Sequence, residues 1–117
     1  MRNTIAITLA VLWSFGTNLA QAHAFLDHAE PRVGSTVQNA PRELSLSFTQ
    51  KLEPAFSSVE VSDGNGARVD LGRPSVSASV MRVRLKQLSA GTYRVRWHVL
   101  SVDTHTTEGS FTFQVGR

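Results

Sequence analysis

Cysteine is absent from this 117-residue chain, and methionine occurs only at positions 1 and 81. The first absence excludes disulfides, thiolate metal ligands and a thiol nucleophile. The second leaves one thioether beyond the initiator. No serine lies in a G-x-S-x-G setting, so a nucleophile-elbow hydrolase is excluded as well. Long hydrophobic runs are also missing. The longest, Ile5 to Phe15 ("IAITLAVLWSF"), is too short to span a bilayer.

That run has a recognisable setting. Arg2 stands before it as the only charge of the first 22 residues, and Ala20-Gln21-Ala22 follows it. A positive start, an apolar middle and a small-x-small end describe a secretory signal peptide. A buried N-terminal helix and a retained anchor are the competing readings; the three parts in order argue against the first, and the A-x-A site against the second. We expect cleavage after Ala22, export, and a single domain over residues 23–117 that begins at His23. The formal charge of +3 includes Arg2, so the processed chain carries +2.

Period two dominates that domain. "LSLSF" puts Leu44, Leu46 and Phe48 on one face. Val59 and Val61 are followed by the turn residues Asp63-Gly64-Asn65-Gly66 and then by Val69 and Leu71. Met81, Val83 and Leu85 alternate with Arg82, Arg84 and Lys86. Tyr93, Val95, Trp97 and Val99 alternate with Arg94, Arg96 and His98. Phe111, Phe113 and Val115 close the series. Pro31, Pro41, Pro54 and Pro74 are expected between strands, where they break no ladder. No stretch carries a helical period. The fold class expected is all-β: an antiparallel sandwich or small barrel. The alternating basic residues read as solvated strand faces. Together with export, that argues against nucleic acid as a partner.

Chemistry rests on the histidines. His98 belongs to the outward set of its strand, and His28 reads as an exposed side chain at the end of the first strand. Asp103 and His105 stand two apart between the strands of Trp97 and Phe111, and in extended backbone they would share a face. A plain turn, with Asp103 bonded to local backbone N–H groups and His105 exposed, competes with that reading. Signal cleavage changes the weighing, because it creates an α-amine on His23. The amine and the imidazole Nδ1 can close a six-membered chelate ring on a metal. An α-amine has a pKa near ~7.7, so a metal can displace its proton at neutral pH. His23, Asp103 and His105 together offer three nitrogens and one oxygen. That set suits one Cu(II) per chain, and Zn(II) could occupy the same donors in tetrahedral geometry. With one methionine and no cysteine, a specific Cu(I) site is not expected.

The stretches "HAFLDHAEPRVGSTV", "LSLSFTQKLEP" and "GTYRVRWHVLSVDTHTTEGSFTFQV" resemble the CopC copper-resistance family across essentially the whole processed chain. The resemblance implies a small periplasmic copper-binding protein with a Greek-key β-sandwich or barrel of about seven strands, immunoglobulin-like or cupredoxin-like. It implies Cu(II) ligands at the first mature histidine, the aspartate and the second histidine, here His23, Asp103 and His105. It also implies a membrane copper transporter of the CopD type as partner to a monomeric carrier. The chain lacks the methionine-rich loop of Cu(I)-binding members, so it resembles the Cu(II)-only type. Gln50 stands where many members have glutamate, and Thr106 where many have proline. The rival reading is an oxidoreductase with an N-terminal histidine brace. Such enzymes are usually much longer, and Asp103 would fill the position that oxygen chemistry needs open. A metal-free adhesion sandwich is the third.

Overall fold

The structure, a computed structural model, describes residues 24–116. The expected signal segment 1–22, His23 and Arg117 lie outside the described residues. Eight strands form two four-stranded sheets: β1 (Leu26–Glu30), β2 (Thr36–Val37), β3 (Glu43–Phe48), β4 (Ser58–Ser62), β5 (Asp70–Ser77), β6 (Val80–Leu85), β7 (Gly91–Leu100) and β8 (Thr106–Val115). One sheet has the order β1-β3-β6-β5 and the other β2-β8-β7-β4. The chain changes sheet repeatedly, so β3 and β6 are neighbours although β4, between them in sequence, lies in the opposite sheet. The all-β sandwich expected from the alternation is what forms.

The inward faces are those the sequence marks. Leu44, Leu46 and Phe48 meet Val59, Val61, Met81, Val83, Leu85, Tyr93, Val95, Val99, Phe111, Phe113 and Val115 in one buried cluster. Tyr93 and Phe113 stack with centroids 5.6 Å apart, and Phe48 meets the half-buried Trp97 edge-on at 5.2 Å. With no disulfide available, this apolar burial is the main source of stability. Gly109 is dictated by the same packing. It pairs with Trp97 across β7 and β8, and a Cβ on it would sit 2.5 Å from the indole. The outward set Arg82, Arg84, Lys86, Arg94, Arg96 and His98 is exposed.

Three details differ from expectation. The two-residue β2 pairs parallel with β8, while every other strand pair among the described residues is antiparallel. Pro74 lies inside β5, not between strands. It is tolerated because β5 is an edge strand whose register with β6 breaks between Leu71 and Ser75. The Asp63–Gly66 turn forms, with Asp63 Oδ1 accepting from the N–H groups of Asn65 and Ala67 at 2.9 Å. It closes only the short Ser62–Arg68 bridge before β5 joins the opposite sheet.

Candidate metal centre

β7 and β8 stay in register up to the pair Leu100–Thr106, so residues 101–105 form the connecting loop. Its backbone closes on itself. Ser101 N–H donates to the His105 carbonyl at 3.0 Å, and Thr104 N–H donates to the Ser101 carbonyl at 2.8 Å. Thr104 has φ +69°, a left-handed conformation that a β-branched residue rarely takes. The segment after β3 braces the loop from outside. Val102 N–H donates to Lys51 at 3.0 Å, and Glu53 N–H donates to Leu100 at 2.8 Å.

This turn brings Asp103 and His105 together. His105 Nδ1 lies 3.4 Å from Asp103 Oδ1, and both side chains are about half exposed. The residues meet across a turn with a left-handed residue between them, not on one face of an extended strand, so the local geometry is that of the competing turn reading, with the two side chains nevertheless in contact. Two donors each ~2.0–2.2 Å from one ion can stand this far apart. Ser101, completely buried, donates its hydroxyl to the same Oδ1 and also approaches the His105 carbonyl at 3.2 Å. The Ser101 hydroxyl, aided by the ring and backbone N–H of His105, holds the Asp103 carboxyl below the usual carboxylate range. Asp103 is therefore ionised, as a metal ligand must be, throughout the neutral range.

The start of the described chain is fastened beside this loop. Ala24 is completely buried, and its carbonyl accepts from Thr107 Oγ1 at 2.6 Å. Thr107 is the second residue after His105. On the other side, Phe25 N–H donates to Thr49 Oγ1 and Thr49 N–H donates to the Phe25 carbonyl, both at 2.9 Å. Sequence reading missed Ser101, Thr107 and Thr49. A hydroxyl two residues before Asp103 is a signal for the first, whereas the other two act across long sequence separations.

The remaining histidines stand elsewhere. His28, exposed on β1, has Nδ1 3.3 Å from Asp27 Oδ2. His98 is exposed on β7 in register with Ser58 and Glu108. Among the described residues no group of three or more His, Cys, Asp or Glu side chains gathers at one point. Met81 is fully buried in the core, so its thioether does not reach the surface. Gln50, noted above as a departure from the family pattern, is half-buried just after β3.

Known proteins fit this picture. The chain is 35% identical over 125 residues to copper resistance protein C of Xanthomonas campestris pv. juglandis, covering 96% of this chain and 95% of that one. It is 29% identical over 120 residues to the copper transport protein CutJ of Bacillus subtilis. That match takes in 99% of this chain but only 22% of CutJ, so the chain spans less than a quarter of that relative's length. Among solved structures, CopC from Methylosinus trichosporium OB3b superposes with a TM-score of 0.75 at 31% identity, over 80% of this chain and 94% of that one. The family model for the CopC domain matches residues 26–116, nearly the whole of the sandwich, and on that match the chain belongs to the CopC family of copper-resistance proteins.

Proposed function

We propose that the processed chain is a periplasmic Cu(II) carrier that binds one ion through the α-amine and imidazole of His23, the carboxylate of Asp103 and the imidazole of His105. The observation that carries this reading is the Thr107–Ala24 hydrogen bond, 2.6 Å long, which fastens the residue after His23 next to the Asp103–His105 turn. The buried Ala24 is thereby held beside the turn that carries two of the proposed ligands. Three nitrogens and one carboxylate oxygen favour Cu(II) over the other divalent first-row ions. The burial of Met81 supports the same oxidation state, since a thioether in the core cannot serve a surface Cu(I) site.

The role follows from the chemistry. A site at the open end of a sandwich, formed partly by a loop and partly by a chain terminus, can load and release an ion without opening the core. We read the protein as a monomeric binding protein in copper resistance or delivery, not as an enzyme. A carboxylate on the metal would occupy the position where a histidine-brace oxidoreductase needs an open site. An inner-membrane copper transporter of the CopD type is the proposed partner. The match to 22% of CutJ, a protein named for copper transport, supports an association between this domain and a larger transport chain.

The test is to isolate the exported protein, determine its first residue by intact mass, and measure copper per chain after dialysis. A start at His23 with one Cu(II), and no copper-dependent peroxide production with ascorbate, is the expected result. A start at Ala24 would sink the proposed ligand set. Peroxide production with cleavage of chitin or cellulose would move the protein to the oxidoreductase class.

A further inference from the structure

Ser101 is completely buried, yet its side chain is polar. A buried hydroxyl is normally satisfied, and where its bond goes shows what it does. Ser57, the other buried polar residue of the described chain, accepts from Leu100 N–H at 3.2 Å and so joins the strand that leads into the loop. The bonds of Ser101 stay within the loop itself. Its hydroxyl has one proton and two acceptors in reach, the Asp103 Oδ1 and, at 3.2 Å, the His105 carbonyl. The carbonyl already accepts from Ser101 N–H at 3.0 Å, and Thr104 N–H closes the other side of the turn at 2.8 Å. The backbone fold of the loop is therefore complete without the hydroxyl. What the hydroxyl adds is a charge-assisted bond to the carboxylate.

We infer that Ser101 is a positioning residue for the metal, holding the Asp103 carboxylate in the rotamer that faces His105. The inference rests on the assignment of Asp103 and His105 as copper ligands. Asp103 is about 38% exposed, so little packing fixes its side chain. Without the hydroxyl only the ring and backbone N–H of His105 would hold it, and the ring is itself a proposed ligand, so the ion would have to order the carboxylate on binding. Groups that orient a metal ligand in this way are typically worth ~10–100-fold in metal affinity.

A double-mutant cycle on the chain beginning at His23 separates positioning from general structure. Ser101→Ala, Asp103→Ala and the double variant are titrated with Cu(II) against a competing chelator. Each is also melted without metal and examined by electron paramagnetic resonance at saturating copper. The expected result is a ~10–100-fold loss for Ser101→Ala, at least as large a loss for Asp103→Ala, and no further loss in the double variant. The resonance of Ser101→Ala should shift from the parent spectrum towards that of Asp103→Ala, while the metal-free protein stays folded. Additive losses, or full affinity in Ser101→Ala beside a weakened Asp103→Ala, would overturn the positioning role and leave the site intact. A Ser101→Ala chain that does not fold without metal would overturn it too, by making the hydroxyl structural. An Asp103→Ala protein with undiminished affinity would instead remove the site assignment on which the inference rests.

Discussion

Thr107 Oγ1 donates to the Ala24 carbonyl at 2.6 Å, a bond between residues 83 apart in sequence. It ties the start of the sandwich to β8, two residues beyond His105. Replacing Thr107 with valine keeps the shape and removes the donor. One hydrogen bond of this kind contributes about 0.5–1.5 kcal/mol. We expect Thr107→Val to melt a few degrees lower and, with the proposed ligand set, to bind Cu(II) about three- to tenfold more weakly, because the chain at Ala24 loses its tie to β8. Titration and thermal melting of the variant check this. An unchanged copper affinity would show that the bond does not serve the metal.

The histidines should rank clearly. His105→Ala and Asp103→Ala are expected to weaken copper binding far more than His28→Ala or His98→Ala. His28 faces Asp27 on β1, and His98 stands on the outer face of β7. Competition titrations of the four variants decide it. If His28→Ala were the weakest binder, the site would lie nearer β1.

Gly109 offers a test of the packing. A methyl at this position would meet the indole of Trp97 at 2.5 Å. Overpacking of this size costs about 1–3 kcal/mol. Gly109→Ala should therefore unfold at lower denaturant concentration, with altered emission from Trp97, the sole tryptophan after residue 22. Unchanged stability would mean that the β7–β8 pair yields more easily than its close packing implies.

Asp70 governs an acid-sensitive part of the stability. Its side chain is only 4% exposed, and burial by itself would raise its pKa. The paired bonds from Arg68, at 2.7 and 2.8 Å, and the Val61 N–H at 2.9 Å outweigh burial and lower it. A carboxyl lowered on folding contributes stability above its unfolded pKa, and that contribution is lost as pH falls through the folded value. Asp70→Asn should thus be less stable than the parent at pH ~7, and the gap should narrow below pH ~4. Melts across that range read it directly. A gap that stays constant with pH would contradict the assignment.

Much of the fold is legible in the sequence because the core is built by alternation. Leu44, Leu46 and Phe48 are buried where period two puts them, and so are the inward residues of β6, β7 and β8 apart from the half-buried Trp97. β2 could not be read, since two residues carry no period and its pairing with β8 is tertiary. Pro74 looked like a break because a one-dimensional pattern does not say which strand lies at an edge. The Asp103–His105 pair was visible from its spacing, but the left-handed Thr104 that makes the two side chains meet was not. Thr49 and Thr107 gave no signal because each bonds a residue far away in the chain.

The central claim is that the free terminus of His23 is a copper ligand. The most direct measurement compares the chain beginning at His23 with one carrying a single glycine before it, by parallel Cu(II) titration and electron paramagnetic resonance. The added residue turns the α-amine of His23 into an amide, which is far harder to deprotonate, and leaves its imidazole, Asp103 and His105 in place. The account predicts equal melting of the two metal-free proteins, since the core around Leu46, Val61 and Phe113 is untouched. It predicts copper affinity lower by orders of magnitude in the extended chain, each tenfold step being ~1.4 kcal/mol of lost binding. Equal affinity in the two forms would contradict it.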